Sequence, residues 1–234
     1  MINQPLVSIL VANYNNGKYF KDCYDSLISQ TFTDWECIIV DDCSTDDSLQ
    51  TIQSLTQGDQ RFKIIKNQEN RGAGYTKRIC AESASAKFSA FLDPDDALVP
   101  NALQFMHELI QKYPNNILYY SNFINCNEHL AELSIHKNKI VKNNDFHFLN
   151  LKSEISHFVM YETEKYKNSE GINPFLKRAV DQDLYLKLYE LGNIHYIDKE
   201  LYLYRIHENG ISTSYKEKAL YWQWVVLNDT AKRR

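Results

Sequence analysis

Phe88-Ser89-Ala90-Phe91-Leu92-Asp93-Pro94-Asp95-Asp96 passes from a short apolar, strand-prone run directly into three carboxylates within four positions. The same change of character occurs three times upstream. Residues 6–12 end at Asn13-Tyr14-Asn15-Asn16-Gly17, residues 35–40 end at Asp41-Asp42-Cys43-Ser44-Thr45-Asp46-Asp47, and residues 62–65 lead into the polar stretch 67–74. Each polar loop is followed by a helix-compatible segment: 18–30, a stretch through Leu55, 75–86 and 97–112. Strand, loop and helix repeated four times predict an α/β fold, with a mostly parallel central sheet flanked by helices on both faces. In such sheets ligands bind beyond the carboxyl ends of the strands, so the four loops are expected to meet at one crevice.

The chemistry of these loops narrows the ligand. Carboxylates crowded at 93, 95 and 96 repel one another, and a divalent cation relieves that repulsion. Hard oxygen donors select magnesium or manganese, which could in turn hold phosphate oxygens. Asp41 or Asp42 could accept from a nucleobase imide or a ribose hydroxyl, while Ser44 and Asp46 are suited to cap the next helix. Lys77 and Arg78 could add positive charge near phosphate. Gly17 stands alone after Asn13, so the glycine-rich dinucleotide turn is absent, and no P-loop run occurs.

Beyond the repeats, residues 117–123 read as another strand, 125–151 as an irregular excursion, and 180–191 as a helix ended by Gly192. Residues 194–197 and 200–204 read as two short strands before Arg205-Ile206-His207-Glu208-Asn209-Gly210-Ile211-Ser212. Tyr161, Tyr166 and Phe175 are candidate rings for stacking on a sugar, and Gly210-Ile211-Ser212 a candidate lid. The 234 residues, 44% apolar, are enough for one sizeable core. A formal charge of −4 gives no general attraction for nucleic acid. Five scattered cysteines read as reduced thiols, and neither a secretory leader nor a run of about 20 apolar residues is present. The expected location is the cytoplasm. The end of the chain, with Lys216, Lys218, Lys232, Arg233 and Arg234 beside Trp222 and Trp224, is compatible with peripheral contact at the inner face of the cell membrane.

Taken in order, Val7-Ser8-Ile9-Leu10-Val11-Ala12-Asn13-Tyr14-Asn15, Ser29-Gln30-Thr31-Phe32, Ile39-Val40-Asp41-Asp42-Cys43-Ser44-Thr45-Asp46, Asn70-Arg71-Gly72, Phe91-Leu92-Asp93-Pro94-Asp95-Asp96 and Tyr204-Arg205-Ile206-His207-Glu208-Asn209 resemble family 2 glycosyltransferases of the GT-A fold. The likeness covers nearly all of residues 5–213. It implies one GT-A domain over 1–213, with a donor half to about residue 124, a smaller acceptor and catalytic-base half over 125–213, and a basic-aromatic helical tail at 214–234.

The implied activity is inverting transfer from a nucleotide sugar, a UDP-hexose or UDP-N-acetylhexosamine by default. The acceptor would be a saccharide or lipid-linked saccharide in bacterial surface-polysaccharide synthesis, and the cofactor Mn2+ or Mg2+. By the same resemblance Ala12, Asn13, Tyr14 and Asp42 face the nucleotide base, Asp93 lies near ribose or sugar hydroxyls, and Lys77 and Arg205 serve the donor phosphates. Asp95 is the principal metal ligand, with His207 as a second, and Asp96 organises the pocket. Val180-Asp181-Gln182-Asp183-Leu184 matches the acidic pair that carries the catalytic base, which gives that role to Asp183, with Gln182 replacing the usual Glu and Asp181 as the neighbouring competitor. A helix entrance would keep such a carboxylate ionised.

The chain departs from the family pattern at Lys77-Arg78-Ile79-Cys80, where many relatives carry Arg-Asn-Xaa-Gly, and at Ala86-Lys87-Phe88, which lacks a glycine. Three other readings stand beside this one, the first a retaining transferase, which the anomeric configuration of the product would separate. A nucleotidyltransferase would need a glycine-rich basic loop after the first strand, of which residues 13–18 are a poor version. A catalytically inactive transferase-like interaction module would be expected to have lost Asp95 or Asp183, and both are present.

Overall fold

The computed structural model of the chain describes residues 4–208, Gly210 and residues 216–234. The four repeats fold as β1 (Val7–Asn13), α1 (Gly17–Ile28), β2 (Trp35–Asp41), α2 (Ser48–Thr56), β3 (Phe62–Lys66), α3 (Ala73–Ser83), β4 (Phe88–Phe91), a two-residue β5 (Ala97–Leu98) and α4 (Ala102–Lys112). They are followed by β6 (Asn116–Cys126), β7 (Glu132–His136), β8 (Val159–Glu162), α5 (Thr163–Lys167), α6 (Val180–Tyr189), β9 (Asn193–Arg205) and α7 (Lys216–Arg233). One nine-stranded sheet runs β3-β2-β1-β4-β8-β6-β9-β5, with β7 paired to β6.

Strands β3, β2, β1 and β4 are mutually parallel, which brings their four polar loops to one edge. β8 then enters antiparallel to both β4 and β6, and β6 and β9 pair in parallel, so the sheet as a whole is mixed. β7 lies inside the region read from sequence as irregular, 125–151, and β8 follows it in a stretch to which the sequence reading gave no element. The two short strands expected after α6 are one strand. Ser121 pairs with Ile197 and Asn122 with Glu200, so Asp198 and Lys199, which mimic a turn in the sequence, sit in a bulge.

Side chains alternate across the sheet. Val7, Ile9 and Val11 of β1, with Trp35, Cys37 and Ile39 of β2, face a core shared with Phe20 and Leu27 of α1, Ile52 of α2 and Leu103 and Met106 of α4. Leu10, Ile38 and Val40 face a second core with Cys80 of α3, Leu184 and Leu188 of α6 and Val226 of α7. Both faces are therefore covered by helices. The tail helix is docked through Val226 and Thr230, and Arg233 and Arg234 bond Glu190 just beyond α6. Leu220, Tyr221 and Trp224 remain exposed, and among the described residues no helix is long and apolar enough to cross a membrane. Gly210 excepted, the expected lid lies outside the described residues.

One charge inside this sheet is structural. Glu36 of β2 is buried and accepts from Ser8 Oγ, Ser85 N, Ser85 Oγ and Lys63 Nζ at 2.6–2.8 Å. Burial pushes its pKa up, but the bonds from Lys63, Ser8 and Ser85 outweigh burial and hold it below the usual carboxylate value. Glu36→Ala strands the Ser8 and Ser85 donors and is expected to cost about 3 kcal/mol in urea unfolding at pH 7. Because the folded pKa lies below the unfolded one, the carboxylate's contribution is complete above the unfolded value near ~4.3 and disappears as pH falls through the folded one. The gap between wild type and variant narrows accordingly in acid.

Candidate functional site

The crevice is assembled from the loops that follow β1, β2, β3 and β4. Asn13 ends β1 with its amide on Asp41 Oδ1 at 2.8 Å and Ser44 Oγ at 3.2 Å, and Asp41 in turn accepts from Ser44 N and Oγ. Asp42 accepts from Asn67 Nδ2 and from the backbone N–H groups of Arg71 and Gly72 at 2.7–2.9 Å. Its carboxylate fastens the Asn70-Arg71-Gly72 loop across the end of β2. Gly72 turns that loop with φ of 89°. Tyr14 is exposed beside this floor, and Ala12 lies half-buried within β1.

The loop after β4 carries the acids. Asp95 Oδ2 and His207 Nε2 face each other at 2.8 Å, the imidazole resting on the Tyr19 ring with centroids 4.7 Å apart. Asp96 is buried, accepting from Tyr202 OH at 2.6 Å and Arg205 N at 2.7 Å, so it ties the loop to β9. Burial and the neighbouring Asp95 and Asp93 charges push Asp96 well above the usual carboxylate range; burial and Asp93 likewise raise Asp95. Asp93 behaves differently: burial raises it, yet Lys77 and His157 bring it below its ordinary value.

Arg205 is committed within the protein. Its buried guanidinium reaches Asp22 Oδ2 at 2.7 Å, the Asp95 carbonyl at 2.5 Å and the Glu128 carbonyl. Where the sequence reading expected a contact with donor phosphate, these bonds clamp α1, the acidic loop and the β6–β7 turn together.

The start of α6 holds the main difference from the sequence reading. Asp183 is sealed: its side chain is 3% exposed, salt-bridged to Lys187 at 2.9 Å and accepting from Asn173 N at 2.8 Å. Two residues earlier on α6, on the other side of the helix, Asp181 is 36% exposed and bonds Lys77 Nζ at 2.8 Å. Lys77 also reaches Asp93 at 3.1 Å. Burial lowers the Lys77 pKa, and the two carboxylates more than restore it, so the ammonium stays charged. One lysine thus bridges the acid at the end of β4 and the acid at the start of α6.

The structure therefore gathers Asp93, Asp95, His207 and Lys77 in one place, holds Asn13 and Asp42 in the adjoining floor, and leaves Asp183 outside. Of the candidate stacking rings, Tyr161 and Tyr166 are core residues and Phe175 is 79% exposed. Sequence reasoning missed Tyr202, whose hydroxyl stands between Asp96 and the Asp93 N–H, and Asp22, the partner of Arg205. Neither has a local signal. Lys187 had one, since an acid and a lysine four residues apart on a helix are natural partners.

No group of three or more His, Cys, Asp or Glu among the described residues is placed to hold a metal. The Asp95 and His207 pair is a smaller set, a carboxylate oxygen and an imidazole nitrogen hydrogen-bonded to each other at 2.8 Å.

Several known proteins are similar to this chain. Escherichia coli chondroitin synthase is 32% identical over 213 residues, covering 91% of this chain and 30% of that protein. The E. coli UDP-Glc:alpha-D-GlcNAc-diphosphoundecaprenol beta-1,3-glucosyltransferase WfgD is 30% identical, covering 96% and 86%. This chain spans less than a third of the length of the chondroitin and hyaluronan synthases it matches. Among solved structures, S. aureus TarS in complex with UDP-GlcNAc superposes with a TM-score of 0.77 at 22% identity, over 94% of this chain and 65% of that one. A Pyrobaculum calidifontis mannosyltransferase in complex with GDP-Man and Mn2+ gives 0.72 at 13% identity, over 100% and 66%. These two share the fold. The family model described as glycosyl transferase family 2 matches residues 8–169, and the chain belongs to that family.

Proposed function

We propose that this chain transfers a sugar from a nucleotide-sugar donor, a UDP-hexose or UDP-N-acetylhexosamine, to a hydroxyl of a saccharide or lipid-linked saccharide, with inversion at the anomeric carbon. The observation that carries the reading is the Lys77 bridge: a donor-side acid, Asp93, and a half-open acid on the opposite wall, Asp181, are held by one buried ammonium. The names of WfgD and of the TarS complex with UDP-GlcNAc support a UDP-sugar. The names of the chondroitin synthases and WfgD support a place in bacterial surface-polysaccharide synthesis. Five free cysteines, four of them buried, support a reducing compartment such as the cytoplasm. The exposed Leu220, Tyr221 and Trp224 support a peripheral seat on a lipid surface.

In this mechanism Tyr14 offers a ring to the base, Asp42 and Asn13 hold the floor rigid, and Asp93 accepts from a donor hydroxyl. Asp181, in place of Asp183, is the general base. Lys77 fixes Asp181 Oδ1 and leaves the second oxygen for the acceptor hydroxyl, whose proton it takes as that oxygen attacks the sugar from the face opposite the nucleotide. Arg205 and Asp96 position the acidic loop without touching substrate.

The donor atoms at Asp95 and His207 fit a divalent ion. Burial first, and the neighbouring carboxylates after it, raise Asp95 and Asp96, and Mg2+ or Mn2+ bound by one carboxylate commonly takes its remaining ligands from phosphates and water. When bound, such an ion would neutralise charge on the departing diphosphate.

A panel of UDP-, GDP- and dTDP-sugars, each with and without Mn2+, tests the donor by thermal stabilisation of the chain. A UDP-sugar is expected to give the largest shift, and an equal response to all three bases would remove the assignment. NMR of the product's anomeric proton tests inversion; retained configuration removes the single-displacement mechanism. Lys77→Met is expected to lower kcat about 30-fold with the donor KM little changed, and Lys77→Arg to recover most of the loss. A change confined to KM would assign Lys77 to ground-state donor binding.

A further inference from the structure

On the flank of α3 that faces away from Lys77 lies a cavity of about 400 Å3. Tyr75, Arg78 and Glu82 form its α3 wall, Arg71 its upper edge, and Phe175 and Lys177, from the loop leading to α6, its opposite wall. The two walls are joined, because Lys177 Nζ donates to the Arg71 carbonyl at 3.0 Å and Gly74 N to the Leu176 carbonyl at 2.9 Å. A methyl group on Gly74 would lie 2.6 Å from the Leu176 carbonyl and 2.7 Å from that of Asn173, so this close seam fixes the cavity's shape.

The lining combines two chemistries. Phe175 is 79% exposed, and Tyr75 presents a ring on which the Arg71 guanidinium rests at 4.4 Å. Three cations, Arg71, Arg78 and Lys177, face a single lining acid, Glu82. That acid is already paired with Arg78, which also donates to the Glu170 and Ile172 carbonyls and serves as wall. Among the described residues the acid paired with Arg71 is the solvent-exposed Glu69 at 3.2 Å, a pair that exchanges readily. Lys177 has no carboxylate partner among the described residues. Two usable cations beside two aromatic faces suit a pyranose, whose C–H face packs on rings, bearing an anionic group that takes charge-assisted hydrogen bonds.

We infer that this cavity is a binding site for an anionic saccharide, a glycan subsite separate from the reacting centre but built on the same helix and on the loop that delivers Asp181. The substrate class rests on the transferase reading, whereas binding at the site does not require turnover. The anion is a uronate carboxylate or a phosphodiester; the recognition chemistry is shared.

The test uses the full chain and three probes in isothermal titration: a tetrasaccharide of alternating glucuronate and N-acetylglucosamine, a glycerol phosphate tetramer, and neutral chitotetraose. At least one anionic probe is expected to bind about tenfold or more tightly than chitotetraose, with affinity falling as salt is raised. Which anionic probe binds assigns the source. Lys177→Glu and Phe175→Ala are each expected to weaken that binding at least about tenfold while leaving the affinity for UDP with Mn2+ unchanged, which also verifies folding. The site is overturned if chitotetraose binds equally well, if neither anion binds, if both variants are indifferent, or if UDP displaces the probe. Asp181→Asn decides the base assignment and leaves this binding untouched, so the two readings fail separately.

Discussion

Asp181→Asn is expected to lower kcat for sugar transfer by about 10³ while UDP binding in the presence of Mn2+ stays within about twofold. Asparagine keeps the size and one acceptor for Lys77 but cannot take a proton. Asp183→Asn separates the two acids. Asp183 and Lys187 form a buried ion pair, and neutralising one partner leaves the Lys187 ammonium enclosed with only the Gly171 carbonyl and an amide. That loss is expected to cost about 3 kcal/mol of stability, read by urea unfolding, with the folded fraction retaining kcat within about tenfold. The opposite pattern, catalysis lost at 183 and kept at 181, would restore Asp183 as the base and end the role given to Lys77.

The second large effect is expected at Asp95. In titrations of the wild type, Mn2+ should tighten UDP binding by about tenfold or more, and Asp95→Ala should abolish that increment and reduce transfer about 10³-fold. His207→Ala should remove part of the increment, since one carboxylate with phosphate oxygens and water still makes an adequate shell for a hard cation. If UDP binds wild type and Asp95→Ala equally, with or without Mn2+, the ion has no place in this site.

Much of this was legible in the chain. Short apolar runs at β1, β2 and β4 and the polar loops behind them gave the parallel half of the sheet, because those strands are buried on both faces and read as nearly continuous hydrophobic segments. Acids at the ends of β2 and β4 followed from the same pattern. What could not be read was how each carboxylate is used up. Asp42 and Asp183 look in sequence like free ligands, and in the fold Asp42 is engaged by Asn67 and Gly72 and Asp183 by Asn173, while the partners of Asp96, read as an organiser of the pocket, are Tyr202 and Arg205. Long-range satisfaction has no periodicity. The exception is Lys187, four positions after Asp183, which could have redirected the base to Asp181 from sequence alone. β7 and β8 were missed for a different reason. They are four or five residues long, β7 is an exposed edge, and neither is followed by a helix at the spacing that marked the first four strands.

The ammonium shared by Asp93 and Asp181 has a consequence for engineering. It belongs to α3, in the portion of the chain expected to handle the nucleotide, yet half of its charge is matched by the portion expected to choose what is glycosylated. A chimaera grafting residues 125–213 from a relative onto this chain would need a compatible acid opposite position 77. Without one, the transplanted half would arrive with its electrostatic keystone unmatched, and inheritance of new acceptor preference would then depend on co-transferring a single helix from the other half.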